Sequence, residues 1–113
     1  MKENAIKNTF GIEVGDIFAE RYGDEPRYTA FYQIVEIPSP HFVDVRRIGC
    51  ESLGIDRLPV PIRDSFLDDE DEPFSDGGIQ HRKVCISNDG KPFITVKSDG
   101  KVGHAFLFDW ECL

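Results

Sequence analysis

The chain has 113 residues, 40% of them hydrophobic and 12% aromatic, which is enough for one small core and points to a single domain over residues 1–113. It carries 21 Asp and Glu against 13 Lys and Arg, a formal net charge of −8 at pH 7. That balance argues against a general nucleic-acid binder and against docking on anionic lipid, since both need clustered cations.

The first residues, Met1-Lys2-Glu3-Asn4-Ala5-Ile6-Lys7-Asn8, hold no apolar stretch, so no signal peptide is expected. No run is long and apolar enough to span a bilayer, and the expected location is the cytoplasm. Ile12 to Ala19 reads as a first strand, with Gly15-Asp16 marking a bulge. A loop follows at Tyr22-Gly23-Asp24-Glu25-Pro26-Arg27. Tyr28 to Ile37 is β-branched and aromatic throughout and reads as the second strand. Pro38-Ser39-Pro40-His41 ends it, and Phe42 to Ile48 should return as its hairpin partner.

The middle of the chain holds Pro59, Pro61 and Pro73 with Gly54, Gly77 and Gly78, which argues against a long strand or helix there. A short extended piece is expected at Leu58 to Ile62. The C-terminal third reads as a meander: Gln80 to Ser87, a turn at Asn88-Asp89-Gly90, Phe93 to Lys97, a turn at Ser98-Asp99-Gly100-Lys101, and Val102 to Trp110. The last strand alternates Val102, His104, Phe106, Phe108 and Trp110 on one face with Gly103, Ala105 and Leu107 on the other. The bulky face is expected to point into the core, which would bury His104 and require a hydrogen-bond partner for it. The fold class is therefore all-β: a small five- or six-stranded antiparallel barrel or bent sheet with a long acidic loop.

Three widely spaced cysteines, Cys50, Cys85 and Cys112, read as reduced thiols. His81 and Cys85 lie four apart, which on one strand would place them on the same face, but no Cys-x-x-Cys pair accompanies them. Small buried hydrophobes plus one exposed thiol, without a metal, are the simpler reading, and no cofactor is expected.

The charge is not spread evenly. Asp64, Asp68, Asp69, Glu70, Asp71, Glu72 and Asp76 fall in thirteen residues that contain no base, and the rest of the chain holds 14 acids against 13 bases. The acidic loop at 64–78 is read in three ways. It can be a solvated segment that aids solubility. Calcium binding is disfavoured, because the spacing lacks the glycine and the twelfth-position Glu of a calcium loop. The third reading is docking on a basic protein surface, with carboxylates replacing phosphates and Phe66 and Phe74 in the stacking sites of a groove that normally holds nucleic acid.

No nucleophile elbow, zinc-protease helix, phosphate loop or dinucleotide fingerprint is present, and carboxylates in a loop lack the fixed geometry that acid–base catalysis needs. The chain is expected not to be an enzyme.

Val14-Gly15-Asp16-Ile17-Phe18, Tyr22-Gly23 and Phe31-Tyr32-Gln33-Ile34-Val35, with Arg46-Arg47-Ile48 and Val60-Pro61 further on, resemble a family of small proteins from phages and other bacterial mobile elements. That family runs Gly-Asp-Ile-Phe, Trp-Gly-Tyr-Asp-Gln-Thr-Asn, Phe-Tyr-Gln-Val-Val. The resemblance covers residues 12–62. It departs at the polar motif, where Tyr22 stands for Trp and Glu25-Pro26-Arg27-Tyr28 for Asp-Gln-Thr-Asn. It implies a mobile-element origin and carries no catalytic role.

The resulting expectation is an acidic inhibitor of a host nucleic-acid-handling defence protein, such as a CRISPR effector, acting as a nucleic-acid mimic through Phe66, Asp68, Asp69, Glu70, Asp71, Glu72, Phe74 and Asp76. No direct nucleic-acid or membrane contact is expected. An alternative is a small-molecule or nucleotide site in a barrel mouth near Tyr22, Arg27, Tyr32 and His104. A second alternative is a phage structural or accessory domain.

Overall fold

The computed structural model describes residues 11–21, 29–52, 59–67, 78–98 and 101–108. They form one antiparallel sheet of eight strands: β1 (Ile17–Arg21), β2 (Thr29–Ser39), β3 (Phe42–Ser52), β4 (Pro59–Phe66), β5 (Ile79–Lys83), β6 (Cys85–Ile86), β7 (Pro92–Ser98) and β8 (Lys101–Leu107). The order is β4-β3-β2-β1-β8-β7-β6, and β5 also pairs with β3. The described residues contain no helix long and apolar enough to cross a membrane.

The all-β class is as expected, with eight strands rather than five or six and no closure into a barrel. The extra strands have two local causes. The segment expected as one strand from Gln80 to Ser87 breaks at Val84. Its first half pairs with β3 from Phe42↔Lys83 to Arg46↔Ile79, and its second half pairs with β7 at Cys85↔Phe93 and Ile86↔Pro92. The Val84 N–H donates to the His41 carbonyl at 2.8 Å at the crossing point. The proline-rich middle also supplies a strand of eight residues, β4, longer than the expected piece at 58–62. It lies at the sheet edge, where proline costs least because an outward N–H has no ladder partner to lose.

Gln80 links β5, which hangs on β3, to β7 on the other side of the sheet order. Its side-chain Nε2 donates to the Lys97 carbonyl at 3.0 Å, and its Oε1 accepts from the Lys97 N–H at 2.9 Å. A side-chain amide thus takes the place of a backbone rung between β5 and β7. The inner face holds the main core, which includes Phe18, Tyr32, Ile34, Val43, Val45, Ile94 and Val96. Burying each large side chain of this kind contributes about 1.5–3 kcal/mol. A smaller cluster of Ile17, Phe31 and Ile48 lies on the outer face, with Ala19, Phe66 and Phe108 against it.

Two further expectations are corrected. The first strand begins at Ile17 and not at Ile12, with the expected bulge just ahead of it. Gly15 and Asp16 together oppose Ile34: the Gly15 N–H donates to the Ile34 carbonyl at 2.9 Å, the Ile34 N–H donates to the Asp16 carbonyl at 2.8 Å, and the φ of Gly15 is +97°, which favours glycine. In β8 the faces are exchanged. Ala105 is fully buried, whereas Val102 is 64% and Phe106 39% exposed, and His104 lies on the outer surface. The reason is β1. The side chain of Glu20, only 5% exposed, fills the space over Gly103, and a Cβ there would stand 1.6 Å from Glu20 Oε2. The inner surface of β8 accepts only small residues at that point.

Candidate functional site

The residues expected to act were placed in one loop and one barrel mouth. Asp68, Asp69, Glu70, Asp71, Glu72, Phe74 and Asp76 lie outside the described residues, as do Tyr22, Arg27 and Cys112. What the structure does place is where the acidic run leaves and rejoins the sheet. Phe66 faces Ile48 of β3, the Leu67 N–H donates to the Arg47 carbonyl at 3.0 Å, and Ile79 faces Arg46 of the same strand. Residues 68–77 are therefore tethered at both ends to neighbouring positions on one edge of β3.

Asp64, Ser65 and Phe66 belong to β4 and not to a loop. Between the pairs Ile48↔Phe66 and Cys50↔Pro61 the ladder is interrupted, and Asp64 takes a φ of +65°. Ser65 holds this bulge from the other side: its Oγ accepts from the Gly49 N–H at 2.9 Å and donates to the Ile62 carbonyl at 2.5 Å. Phe66 is half-buried, with the Arg46 guanidinium carbon 4.5 Å from the centre of its ring. One face of that ring is thus already engaged by a cation.

Of the barrel-mouth grouping, the two described residues, Tyr32 and His104, do not come together. Tyr32 is 1% exposed on the inner face, where its hydroxyl donates to Glu20 Oε1 at 3.4 Å. His104 is on the opposite face, its ring 5.1 Å from that of Phe93. The sheet separates the two rings, so they cannot stack on one ligand.

His81 and Cys85 are also apart, because the break at Val84 puts them on different strands. The His81 Nδ1 lies 2.5 Å from Asp44 Oδ1, and its ring stacks on Phe42 at 4.9 Å. Among the described residues no three His, Cys, Asp or Glu side chains converge on a metal position. Cys50 and Cys85 are free thiols and both lie at the surface, which corrects the expectation of a single exposed thiol among buried cysteines. Partial burial pushes the Cys50 thiol up from its ordinary value, with the Arg47 charge opposing. A hydrogen bond from Ser87 holds the Asp89 carboxyl below its ordinary range.

Reasoning on the sequence missed a feature that the register makes plain. Phe93, Phe106, Ala19, Phe31, Ile48 and Phe66 are successive directly opposed partners on β7, β8, β1, β2, β3 and β4. They form a single apolar row across the outer face. At its β7–β8 end the rings are solvent-accessible: Phe93 and Phe106 lie 5.3 Å apart and tilted by 34°. The two-residue alternation of β8 contained this signal, but assigning it to the core hid it.

No protein-family model matches the chain, and the searches of curated proteins and of solved structures find no significant match.

Proposed function

We propose that this chain is a non-catalytic binding protein whose acidic run occupies the basic groove of a nucleic-acid-handling protein and blocks it. One observation carries the reading: six acids, Asp68, Asp69, Glu70, Asp71, Glu72 and Asp76, fall without a base in residues 68–77, whose two flanks are fastened to adjacent β3 positions. Tethering removes part of the chain entropy that a free acidic tail would lose on docking. The near-neutral remainder acts as the support. The resemblance of residues 12–62 to phage and mobile-element proteins favours a host defence protein as the target, a CRISPR effector being one such protein.

The test is displacement. Purified bacterial nucleases are loaded with labelled nucleic acid and titrated with this chain. The wild type should release the nucleic acid, with an effect that weakens as salt rises. Replacing Asp68, Asp69, Glu70, Asp71 and Glu72 by Asn or Gln should abolish release. A variant that competes as well as the wild type would overturn the proposal.

A further inference from the structure

We infer that the outer face of β1, β7 and β8 is a platform for single-stranded nucleic acid, a site separate from the acidic run. The apolar row ends there in Phe93 and Phe106, and His104 leans on Phe93 from the diagonal position at 5.1 Å. Phe106 is 39% exposed, on a strand whose inner face is packed by Ala105. Exposed rings on an antiparallel sheet offer flat surfaces on which unpaired bases stack.

The next row on the same face is polar. Thr95 faces His104, and Arg21 faces Thr29. One row further, Lys97 faces Val102. Same-face rows are about 7 Å apart. Stacking surfaces therefore stand one row from hydrogen-bonding groups and one or two rows from cations, which suits bases on the rings and phosphates at the rim.

The charge pattern selects the occupant. Among the described residues, the titratable groups on this face are Arg21, Lys97 and His104, and none is a carboxylate. Glu20, the acid nearest in sequence, points inward, and Asp89 in the turn before β7 has Lys91 3.9 Å away. A second copy packed face to face would set these cations against their own images. A polyanion with flat apolar groups meets no such conflict. The net charge of −8 does not forbid it, because seven of the eight excess charges fall in the sequence between Asp64 and Asp76 and none on the described residues of this face.

The experiment is fluorescence anisotropy of a labelled oligothymidylate of about 15 nucleotides titrated with the full chain at low salt. The wild type should bind it, and a duplex of the same length should bind at least tenfold more weakly. Phe106→Ala and Phe93→Leu should each weaken binding about tenfold, the loss expected for one stacked base. Phe93→Leu keeps apolar bulk in case truncation disturbs the fold, and circular dichroism reports whether each variant remains folded. Lys97→Glu should weaken binding and flatten its dependence on salt. Substituting the five acids at 68–72 should leave oligothymidylate binding intact or tighten it, which separates this site from the acidic run. Absence of wild-type binding, equal affinity for duplex, or equal competition by polyglutamate would each overturn the inference.

Discussion

The side-chain amide of Gln33 grips Asp64 at two points: Oε1 accepts from the Asp64 N–H at 2.7 Å, and Nε2 donates to Asp64 Oδ1 at 2.8 Å. Gln33 is 4% exposed, so its amide has little water to turn to, and the pair holds the β4 bulge against β2. Removing this grip by Gln33→Ala should cost about 1–2 kcal/mol, because it leaves the Asp64 backbone group without its partner. Asp64→Gly should cost less. It gives up one side-chain bond but removes the strain of a left-handed aspartate, and the two effects offset. Urea denaturation of both variants checks the order, and the opposite ranking would show that the bulge does not depend on Gln33.

Gly103 and Glu20 define a second test. A methyl group at residue 103 must displace the Glu20 carboxylate from a site that is 5% exposed, so Gly103→Ala should lower stability by about 1–3 kcal/mol. In a Glu20→Ala background the same change should cost almost nothing, since the obstructing atoms are gone. Thermal melts of the four chains in this cycle give the coupling, and additive effects would contradict the geometry.

The Gln80 bridge predicts a local change in dynamics. Gln80→Ala removes both bonds to Lys97 and the acceptor that Arg82 Nη2 reaches at 3.2 Å. Amide exchange of Lys97 should accelerate markedly, while that of Ile34, deep in the β1–β2 side of the sheet, should change only with global stability. Hydrogen exchange followed by NMR distinguishes the two. Equal acceleration at both residues would mean that the bridge closes nothing local.

Cys50 sets a dependence on pH. Its thiol is raised from the ordinary 9.0, first by desolvation, with Arg47 acting in the opposite direction. Between the unfolded and folded values the unfolded thiol has lost its proton and the native one retains it. The contribution to stability is therefore complete below about 9.0 and declines as pH rises through the folded value. In a background with Cys85→Ser and Cys112→Ser, iodoacetamide should modify Cys50 more slowly in the native chain than in urea at the same pH. Equal rates would remove the argument.

Much of the ladder was legible because it depends on local chemistry. The β-branched run from Thr29 to Ile37 and the Asp-Gly turns of the C-terminal third declare strands and reversals within a few residues. What was not legible depends on partners distant in sequence. Alternation in β8 establishes that Phe106 and Ala105 face opposite ways, but only the carboxylate of Glu20 over Gly103 decides which way is in. Val84 has no sequence mark as a breakpoint. It breaks because β3 and β7 offer two different edges to one segment. Asp64 read as the first acid of a loop, and its role in the sheet follows from Gln33, a residue in β2. The apolar row from Phe93 to Phe66 depends on the register of six strands and has no local signature.

The pairing of Phe18 with Leu107 carries a kinetic consequence. The hairpin of β2 and β3 and that of β7 and β8 each close over short turns and can form early. The β1–β8 seam joins them across most of the chain, so its loop-closure entropy is lost before any rung repays it, and such contacts slow folding. Until the seam zips, β1 and β8 present bare edges to solvent and to other nascent chains, including the apolar pair Phe18 and Leu107. The interval before seam closure is when this protein is most exposed to misassembly.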